Sequence, residues 1–325
     1  MSPAVRPEDA QVEQTTRLAQ ALESLPTLPL VAFQITELAN ARTSSVQQIA
    51  DVLKTDPSLS AKLLRLVNSA YFGIPGGVSE VVRAIPFVGF NTLYQLVLSI
   101  SVFETLHTAS GTVFDPRGLW IHSLTVANAA RVLAEEVRFP EPGSCFTAGL
   151  LHDMGKIALA KVAPEKFAAA CADARSLGIS STDAERKNGL PTHDQVGSKL
   201  AKLWRFQPSL AVPIELHHAI ARQAVRDRLP ANLRTATELI AIAEVVAKHC
   251  DQRATGIPAA IVEPDPMVAL LKQLGIADSR LTAIYDRTMK QLELSKIFLS
   301  LLEPSVPASP PAPASPPPPS PASPP

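Results

Sequence analysis

The chain has 325 residues, with 30 basic and 30 acidic side chains and a formal net charge of zero at neutral pH. That balance argues against a general nucleic-acid binder, whose affinity rests on neutralising phosphates. Hydrophobic residues make up 46% and aromatics only 5%, so a large core must be built mostly of Leu, Val, Ile and Ala, a mixture that favours helices.

Cys145, Cys171 and Cys250 stand far apart and form no CxxC pair. A disulfide framework is not expected, and a reducing, cytoplasmic setting fits. The N-terminus lacks an apolar signal core, and no apolar run reaches the roughly 18 residues that span a bilayer. The nearest, Leu93 to Phe103, is interrupted by Tyr94, Gln95 and Ser99 and reads as a core helix.

In chain order, residues 1–24 read as a polar helical extension with Val12, Leu18 and Leu22 at helical spacing. Leu25-Pro-Thr-Leu-Pro-Leu30 is a stiff, extended lead-in to a helix over about Val31 to Ala41. Ser44-Ser-Val-Gln47 is a capping-box pattern opening a helix to Lys54, and Asp56-Pro57 is an N-cap followed by Pro at N1. Ser79 is expected to cap a short helix to Ile85, and Asn91 a long apolar one to Leu106.

After a connector over Gly111 to Gly118, helices are expected over about 119–136, 145–161, 164–176, 182–188, 192–204, 208–218, 233–250, 266–275 and 279–302. No convincing alternating strand run occurs, so the expected fold is all-α. Residues 304–325 are almost only Pro, Ala and Ser, a composition expected to give a disordered tail of local polyproline-II character.

Val46 to Val67 has the look of a helix-turn-helix, with Ser58 to Val67 in the recognition position. Such a helix needs exposed side chains that reach bases and phosphates. Lys62 and Arg65, with Ser58 and Ser60 and no flanking basic cluster, are a poor set, and two ordinary packed helices are expected instead.

The stretch Phe146 to Ala160 reads as one apolar helix that nevertheless carries His152 and Asp153. A charge and an imidazole inside an apolar helix are costly unless paired. Other polar residues recur in similar settings: His122, His193 just after Thr192 in a second capping-box pattern, His217-His218 at a helix end, and Glu244 as the lone acid of an apolar run. A single such histidine is usually a satisfied core residue, but five of the chain's seven fall in this set, with His107 and His249 outside it. Imidazole and carboxylate suit hard or borderline divalent ions. An Asp between two histidine groups can bridge two ions and so activate water on a phosphoester, with Lys156, one turn past His152, against a phosphate.

These residues resemble the HD superfamily of metal-dependent phosphohydrolases. His122, His152-Asp153 and Glu244 match its His…His-Asp…Asp core, with Glu for the last Asp. His193 and His217-His218 match the added ligands of its binuclear branch, which includes the HD-GYP cyclic-di-GMP phosphodiesterases, and His-Asp-Met-Gly-Lys156 matches that branch's His-Asp-x-Gly-Lys. The Gly-Tyr-Pro that follows the paired histidines there is absent, replaced by Ala-Ile-Ala-Arg222. The N-terminal half, with Leu25-Pro-Thr-Leu-Pro, Asp56-Pro57 and Asn68-Ser-Ala-Tyr-Phe-Gly73, is similar to the HDOD, or HD-related output, domain.

The resemblance implies an HDOD domain over 25–230, formed by an N-terminal helical bundle (25–110) and an HD-like part (111–230). Residues 231–303 would then complete or cover that part. It implies two functional readings. The favoured one is a non-enzymatic bacterial signalling module that binds a regulatory protein or a nucleotide, with no membrane or nucleic-acid partner. The other is a metal-dependent phosphohydrolase of a nucleotide or cyclic dinucleotide, with Asp153 and Lys156 in catalytic roles. Both expect one or two divalent ions (Fe, Mn, Zn or Ni) on His122, His152, Asp153, His193, His217, His218 and Glu244.

Overall fold

The computed structural model describes residues 27–41, 45–106, 115–255 and 265–300. The expected N-terminal helix over 1–24 and the Pro-Ala-Ser tail lie outside the described residues. Among the described residues every regular element is helical and no strand occurs.

The first five helices are α1 (Leu30–Asn40), α2 (Val46–Lys54), α3 (Pro57–Val67), α4 (Val81–Val88) and α5 (Phe90–Leu106). Asp56 caps α3 by accepting from the Leu59 amide at 2.9 Å. The capping box of α2 uses Ser45 and Gln48, one residue later than the expected pattern. The expected caps at Ser79 and Asn91 do not form: α4 follows Glu80 without a side-chain cap, and α5 already begins at Phe90. Gly89, at φ 83°, stands between the two helices. Its backbone both ends α4 and accepts the first bond of α5, so no turn is left for Asn91 to cap.

The look-alike recognition helix α3 is a packed helix. Leu59, Leu63, Leu66 and Val67 are buried, and Lys62 pairs with Glu104 of α5.

Helix α5 is apolar nearly all round and buried from Leu93 to Phe103, as befits a helix covered on all sides. It touches α1, α3 and α4 on one side. On the other it meets α7 (Pro142–Leu151) and α8 (Met154–Val162). Its buried Gln95 donates to Ser144 at 2.8 Å and accepts from Thr147, so this amide is satisfied by the facing helix. The core is continuous from Leu28 to Phe298.

The remaining elements are α6 (Pro116–Glu136), α9 (Pro164–Leu177), α10 (Ser181–Lys187), α11 (His193–Leu203), α12 (Pro208–Leu216), the short α13 (Gln223–Arg226), the long α14 (Ala231–Thr255), α15 (Asp265–Gln273), a 3₁₀ turn at Asp278–Arg280, α16 (Leu281–Ser295) and α17 (Ile297–Ser300). Helix α6 lies at the centre, against α7, α14 and α16. It starts at Pro116 rather than 119 because Asp115 caps it, accepting from the Arg117 amide at 3.0 Å. No helix is long and apolar enough to cross a membrane among the described residues.

The stretch Phe146–Ala160 is not one helix. The chain breaks at His152 and Asp153, which end α7 and precede α8. A glycine on each side shows what the break permits. A Cβ on Gly149 would lie 2.9 Å from the Ala127 Cα of α6, and one on Gly155 would lie 2.0 Å from the His193 carbonyl of α11. Helix α7 is thus pressed onto α6 and α8 onto α11, and the turn between them lets the chain do both.

Candidate metal centre

Four further helices bring side chains to the His152–Asp153 break. Helix α6 brings His122. The start of α11 brings His193, with Gln195 accepting from the Thr192 amide at 3.2 Å. The end of α12 brings His217 and His218, and α14 brings Glu244. The donor atoms form two groups, His122 with His152 and Asp153, and His193 with His217 and His218, each with its atoms within 4.8 Å of one another.

Asp153 joins the groups. Its Oδ2 lies 3.3 Å from His152 Nε2 and its Oδ1 lies 3.2 Å from His193 Nε2. Lys156 Nζ donates to Oδ2 at 2.6 Å. Glu244 falls outside both groups, 3.8 Å from His218 Nδ1 and paired with Lys248 at 3.2 Å. His249 is exposed and stacks on Tyr285, and His107 lies outside the described residues.

The far nitrogen of three rings is tied down. A carbonyl can only accept, so His152 Nδ1 donates to Gly149 O at 2.7 Å, and His217 Nδ1 donates to Ile214 O at 3.0 Å. His193 Nδ1 is held by both oxygens of Glu185, at 2.8 and 3.0 Å, and Glu185 also accepts from the His193 amide at 2.8 Å. Anchoring one ring nitrogen fixes the tautomer and aims the other, which is how metal-binding histidines are oriented. The Nε2 atoms of His152 and His217 and the Oδ1 of Asp153 are buried without a hydrogen-bond partner. Buried orphans are rare, and three among these two donor groups call for an occupant.

The electrostatics agree with a cation site. Burial and the neighbouring histidines hold His217 well below the usual imidazole range, so its Nε2 keeps its lone pair. Burial likewise pushes His218 down to about 4, against the pull of Glu244. Burial disfavours the charged form of His193 too, but Asp153 and Glu185 outweigh it and lift this ring to about 9. His193 Nε2 and His218 Nε2 lie 2.9 Å apart and share a hydrogen bond. Burial would raise Asp153, yet His152, Lys156 and His193 together hold it well below the usual carboxylate range.

Glu185 escapes a reading of the sequence. It sits in Ser181-Thr-Asp-Ala-Glu-Arg-Lys187, where an acid looks like part of a solvated face, yet it is buried against His193. Its only sequence signal is its position eight residues before a helix-starting histidine.

Comparison with known proteins supplies a family match and a fold match. The HDOD domain family model matches residues 25–220. An uncharacterised protein of Treponema pallidum is 23% identical over 235 residues, 67% of this chain and 43% of its own length. The chain thus spans less than half of that relative. The crystal structure of an HDOD domain protein of unknown function from Geobacter sulfurreducens is similar at a TM-score of 0.67 and 24% identity, covering 87% of this chain and 98% of that one. A protein of Marinobacter aquaeolei, named provisionally for signal transduction, matches at a TM-score of 0.69 and 20% identity over 90% of this chain and 66% of that one. At these identities both structures speak to the fold alone.

Proposed function

The chain belongs to the HDOD domain family, and from that premise we propose that it is a cytoplasmic regulatory module built around a buried divalent-metal centre. It acts by binding a protein or a nucleotide-like ligand, not by turnover. One observation carries the metal: three imidazoles anchored at Nδ1, with their Nε2 atoms and the Asp153 carboxylate turned to a common interior. His122, His152 and Asp153 would hold one ion and His193, His217 and His218 a second. Glu244 acts from behind His218. The donor set suits Fe, Mn, Zn or Ni in the divalent state. A bound divalent ion supplies Lewis acidity and a clamp for phosphoester oxygens.

The chain's own residues do the positioning. Glu185 and the Gly149 and Ile214 carbonyls orient the rings, and Lys156 balances the Asp153 charge. To hold an ion, His193 Nε2 would have to be free of a proton, so affinity would fall as pH falls. Burial supports regulation over hydrolysis. His152 is 0%, Asp153 1%, His193 0% and His217 3% exposed, and of the six grouped donors only His122 and His218 reach the surface. A working phosphodiesterase is the second reading, favoured by Asp153 standing between two donor groups as a bridging carboxylate does.

The two readings separate in one assay. Chelator-treated protein is supplied with Mn, Fe, Zn or Ni and a cyclic dinucleotide. The regulatory reading expects the melting temperature to rise by several degrees through mass action, with the dinucleotide intact. Hydrolysis that disappears in Asp153→Ala overturns it in favour of the phosphodiesterase.

A further inference from the structure

A cleft of about 360 Å³ opens beside the centre, within the usual size of small-molecule pockets. Lys156 and Glu185 form its inner wall, while Leu119 and Phe167 make it apolar and Cys171 and Arg175 lie towards its rim. The two inner residues are also those that hold the centre's side chains. Lys156 grips Asp153 and Glu185 grips His193. A single layer of side chains therefore separates the cleft from the metal donors.

Two cations, Lys156 and Arg175, and two carboxylates, Glu185 and Asp115, line the cleft, and they differ in how far each is engaged by the protein. Both oxygens of Glu185 are taken up by His193, and Asp115 at the mouth is spent in part on capping α6. Arg175 is exposed, and its Nε is fixed on the Cys171 carbonyl at 3.2 Å. Its two terminal nitrogens carry no protein partner among the described residues. Lys156 uses one donor on Asp153 and has two more. An apolar wall with the uncommitted guanidinium nitrogens of Arg175 at its rim and spare Lys156 donors within fits an anion that carries an apolar body.

We propose that this cleft binds a small organic anion, an apolar ring bearing a sulfonate, carboxylate or phosphate, and that its occupancy reaches the metal centre through Lys156 and Glu185. The inference deepens the regulatory reading and rests on it only for the second step. It gives the module an effector site distinct from the metal donors.

The probe is 2-naphthalenesulfonate, which cannot be hydrolysed. The full chain is treated with N-ethylmaleimide with and without probe, and alkylation is followed by peptide mass spectrometry. Cys145 and Cys250 are buried and serve as internal controls. Saturating probe is expected to slow modification of Cys171 by about tenfold, and Arg175→Gln to weaken the probe by about tenfold, the loss of one charge-assisted contact. Arg175 lies on the surface, outside the centre, so this variant folds. An unchanged rate at Cys171, or equal protection in Arg175→Gln, overturns the site.

The same titration on Co(II)-loaded protein tests the coupling. A shift of the visible Co(II) bands as the cleft fills supports it, and protection of Cys171 with unmoved bands overturns it. A protein that takes up no Co(II) contradicts the metal reading and leaves the thiol result to decide the cleft.

Discussion

Asp153→Asn is expected to cost the metal-free protein about 3–5 kcal/mol, because removing one partner of a buried ion pair strands the other. The partner is Lys156, whose side chain is only 15% exposed. Among the described residues Asp153 is the one carboxylate within ion-pair distance of it. The amide keeps the size of Asp153, so packing is preserved while the charge is lost. The double variant Asp153→Asn with Lys156→Met is the control. Exchanging a whole buried pair for neutral groups of similar size is often nearly free of cost, so most of the lost stability should return. Urea unfolding of chelator-treated protein measures both. A loss below about 1 kcal/mol, or a double variant no more stable than the single one, contradicts the account of Lys156 as the charge that balances Asp153.

The second large effect is at Glu185, which touches no metal position itself. Glu185→Ala is expected to weaken divalent-ion binding by about 10–100-fold, the usual consequence of losing the partner that orients a ligating histidine. The variant frees His193 Nδ1 and leaves the His193 amide unpaired as well. Glu185→Gln keeps an acceptor for Nδ1 and should recover part of the loss. Competition titration with a coloured chelator reads the affinity. Equal affinity in wild type and Glu185→Ala would show that the α10 carboxylate plays no part in the site.

The sequence carried most of the helices and most of the site because both are written in local signals. Asp56-Pro57 stops and starts a helix by its own chemistry, and the 3.6-residue spacing of Leu59, Leu63 and Leu66 marks a buried face. The seven metal-type side chains stand out as polar residues in apolar runs, and the structure gathers five histidines and Asp153 into two groups. Glu244 is the member that stays apart, its longer side chain engaged by Lys248.

What was illegible depends on contacts between distant helices. The break at His152–Asp153 is not forced by a proline or a run of turn formers. It follows from α7 and α8 being drawn against different partners, and the two glycines that permit this are visible only when Ala127 and the His193 carbonyl are in place. Sequence periodicity put the pair on one continuous helix, about 100° apart. In the structure they straddle a turn, and that turn lets Asp153 reach a histidine in each group. Glu185 was missed for a related reason. Its burial comes with the His193 ring and amide closing on it from the start of α11, and nothing in a polar heptapeptide announces it.

The central claim is that the orphaned nitrogens and the Asp153 oxygen belong to a divalent-metal centre. Elemental analysis of freshly purified protein, prepared without chelator, tests it directly. The account predicts about one to two equivalents of Fe, Mn, Zn or Ni per chain in the wild type, as two donor groups of this kind require, and a marked loss in Asp153→Ala. Less than about a tenth of an equivalent in the wild type, with none regained on adding these metals, would contradict it.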